Sequence, residues 1–407
     1  MSALSGFRVI ELSSERGAYA GKLLADSGAD VILVEPPGGD PTRNYPPFLD
    51  DQPGPDRSLW WWHYNTSKRG VMLDLDAAED QARFKALAAS ADIIIESEPA
   101  GRLASLGLDY EDLKAVRPDL IFVSLTPFGR ESINAGVPAT DLTMMAGAGP
   151  VWSTGYDDHT LPPVRPGVGQ AYHTGCHFAA MSALTALFHR LTTGEGQFID
   201  VSLHAASNLA TESATYCWIL AGLTVQRQTG RHAAPGVTSP TQIQCKDGRW
   251  VNAGGVLRQP QEFRTVHAWL HELGLLADFP GADHLERAAA RDTALTLDLD
   301  GVDPDVTAMF SAGRQAIARI ASAVTAYEYF IGFQQRGIPV GIIYSPEEAF
   351  EDEHFKARGF QVPVLHEDLG RTFRYPGAPY LFSASPWSIS RRAPRLGEHD
   401  VDIFGAL

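Results

Sequence analysis

The chain has 407 residues, 44% hydrophobic and 20% charged, with a formal net charge of -16. That length accommodates two domains with sizeable cores, and the acidic balance excludes the broad basic surface that a nucleic-acid or anionic-membrane partner needs. Cys176, Cys217 and Cys245 stand far apart with no metal-ligand spacing, the N-terminus lacks a signal peptide's apolar core, and no apolar run reaches the roughly 18 residues of a membrane span; the expectation is a cytoplasmic protein without metal or disulfide framework.

Taken in chain order, Arg8 to Leu12 reads as a β-branched strand, 13–17 as a loop, Ala18 to Ser27 as a helix, and Val31 to Val34 as a second strand closed by Glu35. This is a β-α-β unit, the start of an open parallel sheet. The alternation continues with a helix over 79–90 and strands over Asp92 to Ile95 and Leu120 to Leu125. Glu35 imitates the acidic residue of a dinucleotide site, but the Gly-x-Gly-x-x-Gly turn is absent from 13–18, which argues against NAD. An alanine- and leucine-rich helix is predicted over 175–193, ending at Gly194-Glu195-Gly196, then a strand over Asp200 to Leu203 and a helix over 204–222. Beyond it, 229–256 mixes Gly and Pro with short strands, 260–330 is mostly helical, Gly337 to Gly341 marks a turn, and 359–407 is rich in Pro, Gly and Arg. The expected organisation is α/β: a large Rossmann-like domain from 1–203 and 351–407, a smaller domain over 225–330, and linkers at 204–224 and 331–350.

Four ordered segments carry a resemblance. They are Leu23 to Ile32 with Val34 to Arg43; Asn65 to Val71 with Leu73-Asp74-Leu75; Thr193 to Gln197 with Ile199 to Leu203; and Gly337-Ile338-Pro339 with Ala357 to Phe360 and Arg395 to His399. Together they resemble the class III CoA-transferases of the CaiB/BaiF type over nearly the whole length. The resemblance implies two chains threaded through each other as an interlocked, obligate dimer, acting on acyl-CoA and carboxylic acid substrates with no further cofactor. It also implies covalent catalysis. An aspartate carboxylate attacks the CoA thioester, expelling CoA thiolate and leaving a mixed anhydride; the thiolate then returns to form an aspartyl thioester, from which a second acid collects CoA.

The family places that aspartate four residues before a glycine that opens the long helix. Here the glycine is Gly175, and four residues back stands Ala171, flanked by Gln170 and Tyr172. No Asp or Glu occurs between Leu161 and Glu195, so the expected catalytic set of this chain is empty. Where a racemase of the family has histidine beside the aspartate matching Asp141, this chain has Thr140. Some family members, such as succinyl-CoA:benzylsuccinate CoA-transferase, are built from two related subunits of which one needs the aspartate. The expectation is therefore a non-catalytic subunit paired with an aspartate-bearing homologue. The alternative is a hydratase, dehydratase or other repurposed member acting through His173 or Tyr172.

The resemblance also implies that CoA lies against Gly17, Ala18, Arg43, Leu73, Asp74, Leu75, Ser97 and Glu98. Two family arginines are missing, at Pro36 and about Ser105, and Glu98 would repel a polyphosphate at close range. Arg43, Lys68 and Arg69 could attract phosphate or serve structural ion pairs. Trp60-Trp61-Trp62 could line an acyl pocket or adenine site, or belong to the core or a subunit interface.

Overall fold

A computed structural model describes residues 2–167, 169–253, 255–296 and 303–406, all but 212 and 213 with their side chains. Val168, inside the segment preceding the long helix, lies outside the described residues. The chain forms two compact units, one from 1–154, 162–224 and 351–407, the other from 155–161 and 225–350.

The first unit contains β1 (Arg8–Leu12), α1 (Ala18–Asp26), β2 (Asp30–Glu35), α2 (Leu59–Tyr64), β3 (Arg69–Met72), α3 (Ala78–Ala89), β4 (Ile93–Glu96), the short α4 (Arg102–Ser105) and α5 (Tyr110–Lys114), and β5 (Ile121–Thr126). It continues with α6 (Asp141–Ala148), α7 (Gln170–Thr193), β6 (Phe198–Ser202), α8 (Leu203–Asn208) and α9 (Glu212–Ala221). The six strands pair in parallel in the order β3-β2-β1-β4-β5-β6. That is the doubly wound order, whose crevice opens at the carboxyl ends of β1 and β4, where the winding reverses.

Alternation along each strand splits the core. Val9, Val31, Ile93 and Val123 pack to one face beneath α1 and α7, and Ile10, Ile32, Ile94 and Phe122 pack to the other beneath α3. Both faces are covered, which is why these strands read as unbroken apolar runs.

The long helix departs from its expected span. It begins at Gln170 rather than 175, because Gly169 takes a left-handed turn (φ +77°) that starts it five residues earlier. Ala171, Tyr172 and His173 thus sit on its first turn, and Gly175 lies inside the helix. A Cβ there would come within 2.1 Å of Leu203, so this glycine serves the close crossing of α7 over α8. The helix expected over 204–222 is likewise two pieces, α8 and α9, separated by a 3₁₀ turn at Leu209–Thr211.

The second unit holds a hairpin of β7 (Gln226–Gln228) and β8 (Arg231–Ala234), then β9 (Gln242–Gln244) and β10 (Trp250–Asn252), then helices α10 (Pro260–Glu272), α11 (Ala282–Ala289), α12 (Pro304–Ala323) and α13 (Ala326–Gln335). After β11 (Gly341–Ile342) and α14 (Pro346–Phe350) the chain returns to the first unit with α15 (Glu353–Ala357), the hairpin β12 (Gln361–His366) and β13 (Arg371–Pro376), and α16 (Asp400–Phe404). The second unit's core gathers Phe263, Trp269, Tyr329 and Phe333 beside the small antiparallel sheet β11-β10-β9.

Candidate functional site

The first turn of α7 is organised by a carboxylate from another helix. Asp141, buried at the start of α6, accepts the Ala171 N–H at 2.9 Å and a hydrogen bond from Arg165 at 2.7 Å. It caps α7 from outside, a task Gly169 has no side chain to perform. The Asp141 N–H donates to the Tyr172 hydroxyl at 3.1 Å, which in turn donates to Glu15 at 3.1 Å; the other Glu15 oxygen accepts from Tyr45 at 3.0 Å. Burial and the adjoining Glu15 push both phenols up to about 12, so they remain protonated donors. Ala171 is fully buried beneath this network.

Above it lies a cavity of about 500 Å³ within the first unit. Its wall rings are carried by α1, α2, α7 and the 3₁₀ turn that ends at Tyr45. The Tyr19 ring stacks on His173 at 4.5 Å, Trp60 meets Tyr64 at 4.3 Å, and Tyr45 stands edge-on to Trp60 at 5.6 Å. The Tyr64 hydroxyl lies 2.5 Å from His173 Nε2. Burial pushes the Tyr64 phenol up to about 12, while burial and the neighbouring His177 lower His173 below the usual histidine value. A neutral imidazole accepting from a protonated phenol follows.

The tryptophan run divides by helical rotation. Trp60 faces the cavity; Trp61 is buried under the Arg43 guanidinium at 3.9 Å; Trp62 packs against Phe373 and His366. Successive residues on a helix point about 100° apart, so adjacent rings enter three environments.

The residues expected around CoA are distributed differently. Leu73, Asp74, Leu75 and Glu98 line a cleft of about 310 Å³ at the carboxyl ends of the strands. Glu35, Asp40 and Asp76 add carboxylates to the same walls, and among the described lining residues Arg102 is the cation, already paired with Asp76 at 2.8 Å. Burial raises the Glu98 carboxyl above the usual range. Ser97 is buried beside it, and Gly17 and Ala18 open α1. Arg43 binds Glu35 through Nε and Nη2 at 2.6 Å each, Asp56 and the Pro55 carbonyl through Nη1, and the Pro394 carbonyl through Nη2. All five donors of the guanidinium are thereby engaged, and its side chain is buried. Lys68 is buried against Glu11 at 2.8 Å, and Arg69 forks onto Asp30 at 2.8 and 2.6 Å. Of the two readings open for these three cations, the geometry is that of structural ion pairs.

Sequence reasoning overlooked Glu15, Tyr19, Tyr45, Tyr64 and Arg165 as site residues. The signal available was the spacing of Trp60 and Tyr64, four apart on one face of a short helix.

The fold is that of the third family of CoA-transferases: the model of "CoA-transferase family III" matches residues 4–400, and the chain belongs to that family. Among relatives, it is 34% identical over 98% of its length to the succinyl-CoA:(R)-benzylsuccinate CoA-transferase subunit BbsE of Thauera aromatica, covering 93% of that protein. It is 32% identical over 99% of its length to a succinate–glutarate CoA-transferase of Agrobacterium fabrum, covering 95% of that protein. A crystal structure of a CaiB/BaiF family protein from Brucella suis superposes with a TM-score of 0.79 at 25% identity, covering all of this chain and 99% of that one.

Proposed function

We propose that this chain is the non-catalytic subunit of a heteromeric class III CoA-transferase that moves CoA between a thioester, succinyl-CoA among the candidates, and a carboxylic acid. The observation that carries the reading is Ala171: a buried methyl on the first turn of α7, in a stretch without Asp or Glu between Leu161 and Glu195. The two carboxylates nearby are poor substitutes. Both oxygens of Asp141 and both of Glu15 already accept hydrogen bonds, which stabilises the carboxylate charge and dulls it as a nucleophile.

Two further features support a subunit. The outer face of α7 exposes Met181, Phe188 and Leu191 at 56%, 71% and 66%, and α9 exposes Ile219 and Leu220 at 71% and 82%. Large apolar side chains left exposed along two helices support an interaction surface there. The relative from Thauera aromatica is itself named as a subunit. In this reading an aspartate-bearing homologue supplies the nucleophile, and the acidic cleft leaves CoA to that partner.

The test is CoA transfer from succinyl-CoA to carboxylic acids by the purified chain, with hydroxylamine trapping of any acyl-enzyme. Loss of a nucleophile costs on the order of 10⁴–10⁶ in rate, so the chain alone should give neither turnover nor adduct. Activity should appear when an aspartate-bearing family member is co-expressed. Turnover by the chain alone, with an adduct or proton transfer mapping to His173 or Tyr172, would replace this reading with that of a repurposed enzyme. The Tyr64–His173 hydrogen bond is the feature on which that alternative draws.

A further inference from the structure

The cavity at the head of α7 lies over the buried Ala171, and its furnishing is selective. Pockets of 300–1,000 Å³ with mainly apolar walls and a few polar groups are the usual form of a small-molecule site; this one is about 500 Å³. Three of its phenol tips are already engaged. The Tyr45 and Tyr172 hydroxyls donate to Glu15, and the Tyr64 hydroxyl is held at His173 Nε2. A polyol entering the cavity would find those partners taken, whereas a flat apolar guest would meet ring faces and edges. The rings are set across one another, Tyr45 to Trp60 at 70°, Tyr19 to Tyr64 at 85° and Tyr64 to His173 at 87°. Such an array offers a further ring both edge-to-face and stacked contacts.

The charged group on the wall, Arg165, is incompletely used. Among the described residues Arg165 hydrogen-bonds only Asp141, through Nη2, and its side chain is 40% exposed. Arg43, by contrast, has no donor to offer. A guanidinium presents five donors in a planar fork suited to carboxylate, so Arg165 has donors left for an anionic group at the cavity wall.

We infer that this cavity binds an aromatic carboxylic acid, or the acyl group derived from it, with the arene among Trp60, Tyr64 and Tyr45 and the carboxylate or thioester carbonyl at Arg165. The inference rests on the proposed function only for the point that the chain serves a transferase of carboxylic acids. It names the class of acid. The site holds its guest without bonding to it covalently.

The experiment is calorimetry on the full-length chain with four probes: 3-phenylpropanoate, 3-cyclohexylpropanoate, 3-phenylpropanamide and choline. Saturable binding of 3-phenylpropanoate is expected, about threefold or more tighter than its saturated counterpart, from the extra worth of aromatic pairing. Trp60→Leu should weaken 3-phenylpropanoate by about tenfold through loss of ring contact. Arg165→Gln should weaken the acid but leave the neutral amide unchanged, which a merely structural role of the arginine would not do. If Trp60→Leu fails to fold, the probe series and Arg165→Gln still decide. Tighter binding of choline, equal binding of the two ring systems, or 3-phenylpropanoate binding indifferent to both substitutions overturns the inference. These readouts are equilibrium affinities. Turnover by the isolated chain would sink the subunit reading and leave this one standing, and absence of arene binding would do the reverse.

Discussion

The cavity at the head of α7 and the cleft at the carboxyl ends of the strands belong to the same unit, yet they are opposite in character. The cavity is walled by rings with a half-engaged arginine at its wall. The cleft is walled by Glu35, Asp40, Asp74, Asp76 and Glu98, its lining cation is tied to Asp76, and the arginine beside it is locked onto Glu35. A site that must hold a polyphosphate needs uncommitted cations. A site that must hold an apolar acid needs only surface and one anchor. The comparison teaches that a ring-walled site and an acidic one can stand in the same unit, because they are built from largely different segments.

Three measurements would break or sharpen that contrast. The largest effect is expected at the frame of the cavity. Lys68 ties the Ala18 carbonyl at 2.8 Å and Asn65 at 2.9 Å, joining the helices that carry Tyr19 and Tyr64, while buried against Glu11. Lys68→Met leaves that carboxylate without its partner and should destabilise the protein by about 3–5 kcal/mol in urea unfolding. The double variant with Glu11→Leu should recover most of the loss. A single-variant cost below about 1 kcal/mol would show that the pair does not hold the frame.

The next effect belongs to the cleft. Glu98→Arg replaces a repelling charge with an attracting one, and affinity for CoA or ADP should rise by about tenfold at low salt and less at high salt. Unchanged calorimetric affinity would mean that the phosphates, wherever they bind, do not lie against this wall.

The smallest effect is a pH dependence at His63, whose ring stands edge-on to Tyr64 at 4.7 Å. Burial lowers His63 to about 3, with Lys22 and His173 adding to the shift. Between that value and the ordinary histidine value the unfolded chain binds more protons than the folded one, so stability falls as pH falls through this window. Relative to wild type, His63→Phe should therefore gain about 1 kcal/mol on going from pH 7.5 to 5.5. A gap between the two proteins that stays constant with pH would show that His63 titrates normally.

The β-α-β opening, the alternation of strand and helix and the four family segments are local features, and each was readable from neighbouring residues. So was the carboxylate-free stretch around Ala171, since an absence in a linear segment needs no folding to be seen. The start of α7 was not readable: 170–174 offers no side-chain cap, and the cap comes from Asp141, some thirty residues away. The fate of the cations was equally hidden. Arg43, Lys68 and Arg69 look alike in sequence, and only the approach of Glu35, Glu11 and Asp30 on β2 and β1 shows them as ion pairs.

By itself, then, the sequence determined the parallel α/β class, the family and the stretch without Asp or Glu between Leu161 and Glu195, because strand periodicity, ordered motifs and residue identity are properties of the chain in one dimension. The tertiary structure alone decided where the chemistry-bearing side chains meet. Glu15, Tyr19, Tyr45, Trp60, Asp141 and Arg165 share one cavity only because the parallel sheet carries α1, α2, α6 and α7 to the same place, and which charges stay free there depends on partners that no spacing rule reveals.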